Sequence, residues 1–195
     1  MVQAAGNGSA RAGRFSGLEC YAAHATLARM DDLLERLQQG IEGLEGTRSA
    51  VEAGAPWPLA ATFDTSDEAD WGPPEVLAHV AEMGPFWLGE IERVVAGGPG
   101  PVPFGRVSTD TLRLGVLERD RSLPPRELFD RTSSALDRLA HRWPTLSPAD
   151  LERVGLHPRL GEMTVAAIAD RFIVSHVEEH ARQLREVLER PARRS

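Results

Sequence analysis

From Thr164 to about Glu189 the apolar residues return with a helical period. The stripe they draw, Val165, Ala169, Phe172, His176, His180, Gln183 and Val187, carries two histidines one turn apart. A helix of this kind is stable only when the stripe is laid against other elements, so both imidazoles are expected to face the core. A water-poor interior makes an unpaired polar group costly. Histidines four residues apart on one face are well placed to bind a single divalent metal ion.

That helix needs partners, and three other segments offer matching stripes. Ser16 and Glu19 have the spacing of a capping box, and a long helix is expected after them, with Met30, Leu34, Leu37, Ile41, Leu44 and Val51 at alternating steps of three and four. A break is expected between Ala53 and Pro58. A second helix begins at Gly72 to Pro74, ends by Gly97 and Gly98, and carries Val76, Val80, Met83, Trp87 and Val94, with His79 beside that stripe. Pro124 and Pro125 open a third, with Leu128, Thr132, Leu136, Leu139 and Trp143 in period, and Pro144 closes it. Thr164 is the expected N-cap of the fourth, with Met163 and Ile168 spaced as a hydrophobic staple. Between Pro99 and Ser122 only a short periodic piece at Leu112, Val116 and Leu117 stands out.

Four long amphipathic helices without a convincing run of alternating strands predict an all-α, four-helix bundle with long crossover connections. The expected domain spans 16–190, with a Gly-, Ala- and Ser-rich tail over 1–15 and a short tail over 191–195. At 195 residues one substantial core is within reach. The start lacks the apolar centre of a secretory signal, and no apolar run is long enough to span a bilayer, so a cytoplasmic protein without membrane contact is expected. Cys20 has no partner in the chain for a disulfide. The net charge of -7 disfavours nucleic acid as a partner. All 22 basic residues are arginine, which leaves no lysine for Schiff-base chemistry.

A third ligand would complete a site, and His79 is the best placed, on a different bundle helix. Three neutral imidazoles hold zinc or a similar ion such as nickel and leave a position for water or substrate. Against this stands a polar network in which Gln183 and Glu82 satisfy the same histidines. His176 to His180 also reads as the H-x-x-E-H signature of an inverted zinc protease, with Glu179 as base, but such enzymes take a further acidic ligand well downstream. Glu178 and Glu179 read better as a solvated flank or as partners of the ligands. His24, His141 and His157 read as surface or capping residues, with His157 set apart because its loop leads into the fourth helix. Arg171, Arg182 and Arg185 read as solvated positions, the four tryptophans as core or cap packing, and Cys20 as incidental.

Three stretches resemble the DinB-like superfamily: Trp71 to Glu82 (WGPPEVLAHVAE), His157 to Thr164 (HPRLGEMT) and His176 to Leu184 (HVEEHARQL). The resemblance implies a four-helix bundle, often dimeric, with His79, His176 and His180 as the ligands of a divalent metal. It also implies an activity: relatives of known function use a low-molecular-weight thiol, bacillithiol or mycothiol, against a small electrophile, and some isomerise maleylpyruvate with the same kind of cofactor. Metal-dependent thiol S-transfer is therefore the expected function, and a non-enzymatic metal-binding or regulatory role the alternative. A third reading is a bundle whose histidines bind no metal and which serves a protein contact.

Overall fold

A computed structural model describes residues 17–60, 68–107 and 109–189, with side chains from His24 onward. The Ser16–Glu19 capping box, both expected tails and the Cys20 side chain lie outside the described residues.

The elements are α1 (Gly17–Glu45), α2 (Arg48–Ala53), a 3-10 turn (Glu68–Asp70), α3 (Pro73–Ala96), β1 (Val102–Pro103), α4 (Thr111–Asp120) and α5 (Pro125–Arg142). There follow α6 (Pro148–Leu151), β2 (Val154–His157), β3 (Gly161–Thr164), α7 (Val165–Ala169), a π turn (Asp170–Val174) and α8 (Ser175–Glu189). The bundle is built by α1, α3, α5 and the composite helix of α7, the π turn and α8. In it α3 packs on α5, and α1 packs on α8 and α5. The last helix also packs on α3, through α7, the π turn and α8.

The stripes of α3 and α5 are buried as their periods require: Val76, Val80 and Met83 face Leu128, Leu136 and their neighbours in one continuous core. Small residues set the closest approaches. A methyl group on Gly40 of α1 would lie 2.8 Å from Val177 Cγ1 of α8, and one on Gly84 of α3 would lie 3.1 Å from Ala135 Cβ of α5. Pro85 interrupts α3 without ending it, because it sits on the exposed face. Thr164 caps the last helix as expected, its hydroxyl accepting from the Ala167 N–H at 3.2 Å.

Four expectations are revised. The first helix breaks earlier, at Gly46 and Thr47, and the short α2 continues to Ala53. In α4 the inward positions are Arg113 and Leu117, while Leu112 is exposed. The connections hold a three-stranded sheet, with β1 parallel to β2 and β2 antiparallel to β3. Strands of two to four residues are too short to register as an alternating run. The last helix buries Ile173, Val177, Ala181 and Leu184, and the histidines lie on the flank of that stripe. The cause is the π turn. Successive buried steps of four, Val165, Ala169, Ile173, Val177 and Ala181, outrun a 3.6-residue period, and the wider turn absorbs the difference.

Candidate metal centre

His79 enters the site from α3, two turns from the paired prolines that start the helix, and it is buried. The Trp71 ring, just before α3, meets its imidazole edge-on at 5.4 Å between centroids. His176 and His180 reach the same point from α8, immediately after the π turn. His180 is buried, and about a quarter of the His176 side chain remains exposed.

The three rings converge through one type of atom. His79 Nε2 lies 2.8 Å from His176 Nε2, and His180 Nε2 lies 3.2 Å from the same nitrogen. An ion with metal–nitrogen bonds of about 2.0–2.1 Å holds its ligands roughly 3.0–3.4 Å apart, so the spacing fits one shared ion after shifts of a few tenths of an ångström. Glu68, on the 3-10 turn, joins the group: it and the three histidines each offer a ligand atom, all within 4.8 Å of one another. The donor set of three imidazoles and one carboxylate suits zinc, nickel and similar ions.

The surroundings prepare these nitrogens. His180 Nδ1–H donates to Gln183 Oε1 at 2.9 Å, which leaves Nε2 with its lone pair. The Gln183 amide is itself oriented, since Nε2 donates to the carbonyls of Glu68 at 2.7 Å and Trp71 at 3.1 Å. Burial lowers the pKa of His176 to about 4, aided by the Arg113 charge. Burial and the charge of His176 likewise bring His180 to about 4, against the opposing hydrogen bond to Gln183. His79 is held well below its ordinary value, chiefly by burial and then by the other two histidines and Arg113. All three are neutral near pH 7, the form that ligates a metal.

A cavity of about 180 Å³ opens on this cluster, walled by Glu68, His79 and His176 on one side and by Trp87, Phe172, Arg106 and Arg113 elsewhere. Trp87 and Phe172 stack with centroids 4.2 Å apart. A larger groove of about 880 Å³ between α3, α4 and α5 contains none of the histidines and no comparable set of donors.

The three histidines expected as ligands meet at one point, and Glu68, Arg106 and Arg113, which no motif marked, stand around them. Glu68 and Arg106 stand in a turn and a loop without period, and Arg113 takes an inward position of α4 that the Leu112, Val116 and Leu117 pattern did not mark. Of the proposed network partners, Gln183 serves His180, whereas Glu82 is held in a two-pronged pair by Arg106. Glu178 is taken by Arg36, at 3.0 and 2.8 Å. Glu179 is 60% exposed and lies 3.8 Å from His176 Nδ1 rather than from the shared Nε2 point. His157 is buried but outside the cluster: its Nδ1 accepts from the N–H groups of Arg159 and Leu160, and its ring stacks on Phe172. His24 and His141 are exposed, as are Arg171, Arg182 and Arg185.

No curated protein matches the chain. A family model, the DinB superfamily, matches residues 47–184, a stretch that holds every residue of the centre. With that match over most of its length, and with the helical bundle that presents the triad, this chain belongs to the DinB superfamily.

Proposed function

We propose that the chain binds a divalent metal ion, zinc or nickel, through His79, His176 and His180 and uses it to activate a low-molecular-weight thiol, bacillithiol or mycothiol, for attack on a small electrophile. The observation that carries the metal reading is the convergence of three neutral Nε2 atoms at 2.8 and 3.2 Å beside a cavity. A bound divalent ion with an open position stabilises a thiolate and so lowers the pKa of a thiol from about 8.5 toward neutrality.

This chain's own residues supply the rest. Gln183 fixes the His180 ring, and the low basicity of the histidines keeps protons from competing for the ligand nitrogens. Trp87 and Phe172 give the cavity an apolar wall that excludes water from the reacting atoms. The Arg113 and Arg106 charges beside the cluster favour an anionic sulfur over a neutral one.

The reading is tested by supplying bacillithiol or mycothiol with monochlorobimane to the metal-loaded protein. Conjugate formation that disappears in His176→Ala supports it. A stoichiometric metal complex that turns over neither thiol with several electrophiles refutes thiol transfer and leaves the metal-binding role.

A further inference from the structure

The Glu68 carboxylate stands between two claims. Its Oε1 accepts from Arg113 Nη2, while its Oε2 faces the cluster, 3.8 Å from His176 Nε2. Arg113 is a fixed partner, because it is buried with its guanidinium 5.6 Å from the centre of the Trp71 ring, and its backbone N–H is bound by the Asp110 carboxylate that caps α4. The turn carrying Glu68 is fixed as well, through its carbonyl and the Gln183 amide. The Glu68 side chain itself is 36% exposed, so it has room to move where its backbone has none.

Its position has a second property. A polar cleft of about 350 Å³, bordered by His180, Glu179, Arg182 and Glu186, also opens beside the cluster. Glu68 and His176 line both spaces. The Glu68 carboxylate therefore borders both approaches to the cluster. Of the other carboxylates nearby, Glu82 is committed to Arg106 and Glu178 to Arg36, while Glu179 lies against His176 Nδ1 rather than Nε2.

Resting on the metal reading above, we propose that Glu68 is a displaceable fourth ligand of the centre, exchanged for the thiol and held in reserve by Arg113. Ligating carboxylates commonly keep their second oxygen on a hydrogen-bond donor, and Oε1 on Arg113 has that arrangement. The exchange balances. The thiol would lose its S–H proton to solvent, its sulfur would take the place of Oε2, and the carboxylate would stay paired with the Arg113 guanidinium through Oε1. One anion replaces another, so the charge of the centre is unchanged while the carboxylate stays paired.

Cobalt(II) titration of the metal-free chain tests this without reference to turnover, with circular dichroism as the check on folding. Glu68→Gln should bind cobalt about tenfold more weakly, with altered visible bands. It should also reach half-saturation of the sulfur-to-cobalt band at a lower 2-mercaptoethanol concentration than wild type. Arg113→Met, which leaves a displaced carboxylate without its partner, should raise the 2-mercaptoethanol concentration at half-saturation above that of wild type. Wild-type cobalt affinity, bands and thiol half-saturation in Glu68→Gln would overturn the proposal while leaving the triad intact. A wild-type chain that takes up no cobalt would overturn both readings.

Discussion

At the scale of residues, the centre depends on groups that do not touch the ligand point. Gln183 holds His180 through one end of its amide and the Glu68 and Trp71 carbonyls through the other. Gln183→Leu should therefore weaken metal binding by about 10- to 100-fold, measured by competition with a chromophoric chelator, and unchanged affinity would remove the amide from the design. The histidines also set a pH dependence in the metal-free protein. His176 and His180 have pKa values near 4, against 6.5 in the unfolded chain. Between those limits the unfolded state binds more protons, so stability is complete above pH 6.5 and is lost as the pH falls toward 4. Urea unfolding at pH 7.5, 5.5 and 4.5 should show this loss in wild type and a flatter profile in a His176→Gln, His180→Gln variant. The triad was legible because two members share one helical face and the third adjoins a strong stripe. Glu68 was not, since it lies in an acidic run without period and reaches the site through a backbone contact made by a residue far along the chain.

At the scale of elements, the ends of α3 and α5 and the start of the last helix were legible because proline and threonine act locally: Pro73, Pro125 and Thr164 specify a first turn whatever surrounds them. The π turn was not, because it records a compromise between two packing surfaces. A helix started by Thr164 buries Val165 and Ala169, and the same helix must later bury Val177 and Ala181 while leaving its histidines on the flank. Glycine placement makes a paired prediction. Gly40→Val drives a side chain into Val177, the neighbour of His176, and should cost about 1–3 kcal/mol and weaken metal binding. Gly89→Ala, at an exposed α3 position with open space around its Cβ, should stabilise the fold by about 0.5–1 kcal/mol without touching the metal. Chemical denaturation of both variants checks the opposite signs.

At the scale of the whole molecule, the bundle brings α3 and α8 together so that residues nearly a hundred positions apart share one point, and the connections supply the remaining walls. Arg113 comes from α4 and Arg106 from the loop after β1, so the segments least legible in the sequence complete the cavity. Among the described residues no helix is long and apolar enough to cross a membrane. Because the candidate ligands come from separate elements, a bound ion would couple to folding. Free zinc at a hundred times its dissociation constant should stabilise the wild-type chain by about 2.7 kcal/mol and leave a variant lacking all three histidines unchanged, as denaturation with and without the ion would show. The most direct test of the central claim is metal content by mass spectrometry on protein purified without a histidine tag, comparing wild type with His79→Ala and His176→Ala. The account predicts near-stoichiometric divalent metal in the wild type and its loss in both variants. A wild-type chain that carries no metal and takes up neither added zinc nor added nickel would contradict it.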